Sequence, residues 1–501
     1  MIEIKTIKDS NYLRLICDDD ITFNFIYNKF KIKDKNYYWK IKNKKGNKNW
    51  DGFIRFIDKQ GHFLKGLLIE IVKLCKKNNW NVKFDKNIVI SKLKFTDKEI
   101  EKSLKVKLFP DQIEVIKKML LYNYGICQYP TATGKSYIEI AILNLLRLKG
   151  IKDMIIIVPR ETLVNQIYED MINQSNYIKK EEIGRLDGNH KSFNLPIVIA
   201  TWQSLNSMLQ IDKTYSGRFS VMIQDECHVS SEDAVVTRSI INSFKPLIKY
   251  GFSATIIKND KMEYYNTQSL FGSIIISKTI NEMQKLDRIS EASIYIKILN
   301  YPIVQEITSY HQYEEFIRYN LQRRKYIFNL IKEERKKNPD SNGLILIRNV
   351  DIAKEFKDLL ESEFGDNVHL IHGSVKVNER NDIKEEIKQN KSQILIATSG
   401  TFSLGENVPN LNYLIIIQAR KSEIEIVQQI GRLLRKSEGK NEATIYDITD
   451  DLVVTKEIEK DDGKIIKVKK RFGRKHLKER IKTFERYGLK VKNIEKVIIK
   501  E

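Results

Sequence analysis

Tyr129-Pro130-Thr131-Ala132-Thr133-Gly134-Lys135-Ser136 sits where a loop leads into a helix predicted over 137–148. The small residues Pro130, Thr131, Ala132, Thr133 and Gly134 let backbone N–H groups curl around a phosphate, at a helix N-terminus that already favours an anion. Lys135 then reaches the β- and γ-phosphates of a nucleotide, and the Ser136 hydroxyl suits a ligand of Mg²⁺. The leading glycine of the general pattern is replaced by Tyr129. Alone, Gly-Lys-Ser also fits an ordinary helix start, so its weight depends on what surrounds it.

What surrounds it is a repeating pattern. Short β-branched runs at 154–158, 196–200, 221–223 and 248–252 alternate with helical stretches, the mark of a parallel sheet with crossover helices. The pattern recurs at 343–347, 368–372, 393–397, 413–417 and 443–446. The expectation is an α/β chain with two tandem parallel-sheet domains, 96–295 and 296–450, joined through a helical stretch near 310–337. A small basic α+β domain, 1–95, precedes them, and a basic helical extension, 451–501, follows. In the first of these, Ile21, Phe23, Phe25 and Tyr27 alternate as in a strand. Leu64, Leu67, Leu68, Ile71, Val72 and Cys75 fall at helical spacing.

Two further motifs carry chemistry. Val221-Met222-Ile223-Gln224 is a buried-strand run ending in Asp225-Glu226-Cys227-His228. Adjacent carboxylates at a strand end suit metal binding and water activation: Asp225 holds Mg²⁺ through water, and Glu226 polarises the attacking water. His228 has no neighbouring ligands with which to form a zinc site. Far downstream, Gln428-Gln429-Ile430-Gly431-Arg432-Leu433-Leu434-Arg435 places two arginines on one helix face, where both can address a nucleotide as arginine fingers. A basic amphipathic helix is the plainer alternative for this stretch. Three such elements, in this order on two α/β units, make the nucleotide reading the stronger one.

Charge divides unevenly along the 501 residues. Residues 1–100 hold 23 Lys and Arg against 12 Asp and Glu, and residues 451–501 hold 17 against 9, within a net charge of +22. Basic ends around a nearly neutral middle point to polyanion contact at the ends. With 42% hydrophobic and 30% charged residues the chain can bury real cores. No apolar run approaches the ~20 residues of a membrane span, and the first residues carry no signal-peptide core. The four cysteines, Cys17, Cys75, Cys127 and Cys227, have no paired spacing. That excludes a disulfide scaffold or a cysteine zinc site and suggests a reducing, cytoplasmic compartment.

These motifs resemble those of superfamily 2 helicases, and Asn49-Trp50-Asp51-Gly52, Asp-Glu-Cys-His and the run Asp447 to Leu452 resemble, more narrowly, the UvsW-type branched-DNA helicases of phages. The resemblance implies two RecA-like lobes with ATP and Mg²⁺ between them, Gln112 reading adenine, and Gly405 and Asn407 near the nucleotide. Asn407 stands where aspartate is usual, and Gln429 where arginine is common. It implies a nucleic-acid path along Pro159, Arg160, Gln166, Thr201 and Gln203 in the first lobe and His372, Gly373 and Thr398 in the second. His228, Ser253, Thr255 and Gln428 would couple that path to hydrolysis by Lys135, Asp225, Glu226, Arg432 and Arg435.

In the basic ends, Lys45, Lys48 and Trp50 could lie against a duplex or wedge at a junction, or the tryptophan could simply pack. Leu477, Ile481 and Phe484 form a stripe that docks a helix, with Arg474, Lys478 and Lys482 on another face towards a duplex. The implied partner is branched or forked DNA, with RNA in RNA–DNA hybrids and single-strand-binding or recombination proteins as further partners. No membrane is involved, and a monomer is expected, in a bacterial host cytoplasm if phage-encoded. An RNA helicase, the motor subunit of a restriction system, and a non-catalytic nucleic-acid clamp stay open as alternatives.

Overall fold

The computed structural model describes all residues except 36, 39–49, 89–92, 231–234, 257–260, 303–305, 399–407, 409, 418–422, 438–439, 460–464 and 500–501. Lys45, Lys48, Gly405 and Asn407 therefore lie outside the described residues. The chain divides into two compact units: Met1–Tyr129 with Gly134–Ser277, and Lys278–Glu501, which also counts the loop residues Pro130–Thr133.

The first unit is built on a seven-stranded sheet: β1 Tyr124–Gln128, β2 Met154–Val158, β3 Ile183–Leu186, β4 Ile197–Thr201, β5 Val221–Gln224, β6 Ile248–Ser253 and β7 Ile274–Ser277. Their spatial order is β7-β1-β6-β5-β2-β4-β3, and every neighbouring pair is parallel. All residues of β2, β4, β5 and β6 are buried, as a sheet covered on both faces requires. Helices α1 Lys135–Leu148, α2 Glu161–Gln174 and α3 Trp202–Ile211 leave the C-terminal ends of β1, β2 and β4, and α4 Lys261–Phe271 precedes β7.

The second unit repeats the plan with β8 Glu291–Asn300, β9 Asn342–Ile347, β10 Val368–Ile371, β11 Ile394–Thr398, β12 Leu411–Ile416, β13 Glu442–Asp451 and β14 Lys490–Ile498. The order is β10-β11-β9-β12-β13-β8-β14, again all parallel. Its helices include α5 Leu321–Lys337, α6 Glu423–Leu433 and α7 Phe472–Arg486. Both units are thus RecA-like α/β sheets.

Several expectations need correction. The expected boundary at 295/296 would cut β8, which pairs with β13 along its full length, and the units part at Ser277/Lys278 instead. The helices near 310–337 do not join the sheets: they follow β8 and pack within the second unit. The extension is more than helical. It holds an antiparallel ribbon, Val454–Glu459 with Ile465–Lys470, then α7, then β14, which completes the second sheet beside β8.

The N-terminal residues form a four-stranded mixed sheet from Ile2–Thr6, Tyr12–Cys17, His62–Leu64 and Val82–Phe84. The alternating run at Ile21 is the helix Asp20–Lys29, not a strand: the Asp19 side chain caps it by accepting from Thr22 N. Phe23, Ile26, Tyr27 and Phe30 turn to the core, while Ile21 and Phe25 stay exposed. Two apolar sets on opposite sides of one helix had imitated a period of two. Leu64 ends a strand, and the helix that follows begins at Leu68.

This domain is seated firmly on the first sheet. Tyr265 of α4 enters its core against Phe30 and Phe56, with ring centroids 5.7 and 5.5 Å away, and Leu64 enters the core of the sheet in return. Asn11 Nδ2 donates to the carbonyls of Asn242 and Phe244, each at 2.6 Å. Gly66 lies so near α4 that a Cβ there would meet Gln268 O at 2.2 Å.

Candidate functional site

Strand order converts sequence distance into proximity. The loop after β1 and the acidic turn after β5 are separated in the sheet by β6 alone, whose own exit is Ser253-Ala254-Thr255. All three leave the C-terminal edge, where open parallel sheets bind ligands.

In the loop, Ala132 and Gly134 take left-handed backbone angles (φ +67° and +85°), and Thr133 Oγ1 donates to Pro130 O at 2.6 Å. At Gly134 a Cβ would also press on Gln112 Nε2 at 2.5 Å, so a glycine is required twice over. Pro130 and Thr131 complete the curl, and Lys135 and Ser136 are the first two residues of α1. Gln112 is buried; it accepts from Phe109 N at 2.9 Å and donates to Gly134 O at 3.3 Å, which ties it to the loop.

Lys135 Nζ lies 2.7 Å from Asp225 Oδ1 and 2.9 Å from Glu226 Oε1. Burial works to lower the lysine pKa, but the two carboxylates outweigh it and hold the ammonium well above its ordinary value. Burial likewise opposes ionisation of Glu226, yet Lys135 and His228 hold that carboxyl well below the carboxylate range. His228 Nδ1 sits 3.3 Å from Glu226 Oε2 and 2.8 Å from Ser253 Oγ, which donates in turn to Thr255 O at 2.9 Å. A contiguous polar chain therefore runs from the acidic turn to the exit of β6.

Glu226 itself has φ +51°, and the turn is held by Gln224 and Ser230, both buried, with Gln224 Nε2 donating to Ser230 Oγ at 2.8 Å. Glu139, one turn along α1 from Lys135, is wholly buried beside them. Burial and the Asp225 charge push its carboxyl well above the ordinary range. Nothing in the bare motif signalled Glu139 or Ser230, since each acts by where the helix or turn carries it.

Among the described residues the Asp225 and Glu226 carboxyls thus share one ammonium, with the Glu139 carboxyl, which burial favours in its neutral form, behind them. That excess negative charge, with the Ser136 hydroxyl at the helix start, fits a hard divalent cation bound mostly through phosphates and water. Among the described residues no side-chain cluster holds a metal unaided.

The same edge continues to β2 and β4. Arg160, after Pro159, is the N-cap residue of α2, and Thr201, buried, is that of α3, accepting from Ser204 N at 3.3 Å. Val158 and Thr201 are register partners, so two helix N-termini stand side by side, with Gln203 exposed on the first turn of α3 and Gln166 exposed on the second turn of α2. In the second unit His372 and Gly373 follow β10 and Thr398 ends the neighbouring β11. Arg380 Nη2 donates to the carbonyls of His372 and Gly373 at 3.1 and 2.8 Å. Gln428 is buried in α6 and Arg432 stands in its last turn; Arg435 lies just past the helix end.

Trp50 is engaged locally: Nε1 donates to Phe53 O at 2.9 Å and the ring meets Tyr37 edge-on at 5.7 Å. Lys478 is exposed on α7, whereas Arg474, expected beside it towards a duplex, is paired with Asp451 at 2.9 Å. Of the expected stripe, Leu477 and Phe484 are buried and Ile481 is half-buried, and beside them lies a buried arginine, Arg480, that the pattern did not mark.

Residues 105–258 match the family model described as type III restriction enzyme, res subunit, and residues 322–437 match that of the helicase conserved C-terminal domain. The chain thus carries both helicase domains and is an ATP-hydrolysing helicase with two RecA-like domains. It is similar to the ATP-dependent DNA helicase uvsW of Enterobacteria phage T4, 27% identical over 464 residues that cover 88% of this chain and 89% of that one. It is also similar to a putative helicase of Sulfolobus islandicus filamentous virus, 26% identical over 67% of this chain and 62% of the other. The fold resembles that of S. cerevisiae Dbp5 bound to RNA and ADP BeF3, with a TM-score of 0.51 and 12% identity over 78% of this chain and 94% of that one.

Among the described residues no helix is long and apolar enough to cross a membrane.

Proposed function

We propose that this helicase is a DNA motor directed to branched or forked DNA, in fork regression, junction migration or R-loop and D-loop unwinding, and so in recombination, repair and replication restart. The carrying observation is the shared edge of the first sheet: phosphate loop and acidic turn on β1 and β5, two helix N-termini on β2 and β4. The first pair suits a nucleoside triphosphate and the second suits successive backbone phosphates, which a motor grips without reading bases. Support for DNA comes from the phage T4 relative, which is an ATP-dependent DNA helicase. Support for branches comes from the basic ends: a domain packed on the sheet of the first unit and an extension built into the second each offer a duplex contact beyond the motor's own path.

In this reading Lys135 binds the β- and γ-phosphates, Ser136 and, through water, Asp225 would hold Mg²⁺, and Glu226 orients and polarises the attacking water. When bound, the ion neutralises charge developing on the phosphates. His228, Ser253 and Thr255 relay the state of the acidic turn to the edge where Pro159, Arg160, Gln166, Thr201 and Gln203 contact a strand. His372, Gly373 and Thr398 supply the second grip, and Arg432 and Arg435 add positive charge for the transition state. Lys478 serves the duplex.

The test is steady-state ATP hydrolysis alone and with single-stranded DNA, duplex, a four-way junction and RNA, with Glu226→Gln as control. Stimulation greatest with the junction and absent in the variant is expected. Stimulation greatest with RNA moves the substrate to RNA, and no hydrolysis above the variant's background with any of them leaves a nucleic-acid clamp or a missing partner.

A further inference from the structure

We infer that α7 braces α6, and that Glu423, Arg486 and Tyr487 are positioning residues for the arginines at the far end of α6. The inference rests on the role proposed above for Arg432 and Arg435.

The helix α7 is bound along its length to one strand. At its start Arg471 and Arg474 each lie 2.9 Å from the Asp451 carboxylate. At its middle Arg480 holds Asp447 with two bonds, Nε to Oδ2 at 2.7 Å and Nη2 to Oδ1 at 2.8 Å, and adds Thr449 Oγ1 at 2.6 Å. All three partners belong to β13, and the Arg480 and Asp447 side chains are 2% and 0% exposed. A bidentate guanidinium–carboxylate pair fixes orientation as well as distance.

Fixed in this way, α7 reaches α6 with its last turn. Arg486 donates to Glu423 Oε2, and Tyr487 OH donates to Glu423 Oε1 at 3.2 Å. Glu423 is the first residue of α6 and its side chain is only 16% exposed; Tyr487 is 7% exposed. The anion at one helix start and the cation at the other helix end also suit both macrodipoles.

The approach to α6 is held from the other side too. Arg323 of α5 donates to Ile417 O at 2.6 Å while it grips Asp450, the next aspartate of β13, at 2.7 and 3.0 Å. Residues 417 and 423 are therefore both tied, through side chains, to the exit of β13.

Geometry gives this brace leverage. An 11-residue helix is about 16 Å long, so a 10° change at Glu423 moves the far end by roughly 3 Å. Misplacement of a catalytic group by about 1 Å can cost ~10²-fold in rate. A contact that only stabilised the fold would change melting without a selective loss of turnover.

The experiment uses the full chain: Arg486→Glu, Glu423→Arg, the charge-swapped double variant, Tyr487→Phe, and Arg435→Ala as reference. Nucleic-acid-stimulated kcat, KM for ATP, DNA affinity and melting temperature are measured for each. We expect Arg486→Glu and Glu423→Arg to lower kcat about tenfold with KM and DNA affinity near the parent, the signature of a lost transition-state interaction. The double variant should recover most of that loss, and Tyr487→Phe should show a smaller one. Parental kcat in the single variants, beside a low Arg435→Ala, overturns the brace while sparing the arginines. Losses that track melting temperature and are not rescued by the swap also overturn it. A parental rate in Arg435→Ala overturns the arginine reading, and the brace with it.

Discussion

The two sheets each bury charge near their C-terminal edges, and they do so in opposite ways. In the second unit Arg480 faces Asp447 and Arg323 faces Asp450, one guanidinium to one carboxylate, with the spare donors taken by Thr449 and Ile417. In the first, Lys135 is bonded to both Asp225 and Glu226, with His228 against Glu226 and Glu139 close behind. A balanced, fully bonded pair has nothing left to offer a ligand and serves as a joint. An unbalanced cluster is electrostatically incomplete, and incompleteness of that kind belongs to sites that bind and react.

The sharpest way to break this contrast is Glu226→Gln. Hydrolysis should fall ~10²–10⁴-fold, the worth of a positioned general base, while the melting temperature holds or rises because a surplus charge is gone. A variant that loses stability along with activity would place Glu226 with the joints. Asp447→Ala should act first on stability, which should drop by about 3–5 kcal/mol because Arg480 loses its buried counter-charge, and should lower turnover only as far as α7 loses its seat. Replacing both partners, Asp447→Leu with Arg480→Met, should return much of it. Denaturant unfolding with ATPase activity measured on the folded fraction separates the two outcomes.

A third buried charge sharpens the comparison further. Lys249 of β6 donates to Ile241 O at 2.9 Å and lies 5.7 Å from the Phe271 ring, with no carboxylate against it among the described residues. Burial draws its pKa down to about 7 from 10.5. The folded state then gives up this proton near pH 7, whereas the unfolded chain keeps it to about 10.5. Stability should therefore be least below pH 7 and rise from there to pH 10.5, by up to ~1.4 kcal/mol per pH unit from this group. Lys249→Met should remove that slope and stabilise the chain at neutral pH. A variant whose stability follows the parental pH curve would show that the lysine escapes to water.

Much of the site was legible because its chemistry is local. The loop at Gly134-Lys135-Ser136 and the turn at Asp225-Glu226 need particular residue types at fixed spacing, and β-branched runs such as Met154–Val158 announce strands buried on both faces. Where local pattern was ambiguous it misled. The run from Ile21 to Tyr27 satisfies a period of two, and only the Asp19 cap with core contacts at Phe23, Ile26 and Tyr27 makes it a helix. The strand β14 carries five exposed residues in a row in the midst of lysines, so no apolar alternation gave it away; pairing with β8 makes it a strand. Arg480 hid in plain sight as one more basic residue of a basic helix.

By itself the sequence determined the parts: a phosphate loop, an acidic strand end, an arginine pair, two runs of alternating strands and helices, and basic ends. Each depends on residue type and short spacing, which the chain carries wherever it goes. Only the tertiary structure decided which parts meet. Strand order brings the loop of β1 and the turn of β5 to either side of β6, and the exit of β13 gathers Arg323, Arg471, Arg474 and Arg480 onto three aspartates. A buried charge finds its partner through packing, by the cost of leaving it without one, and that cost arises only once water has been excluded.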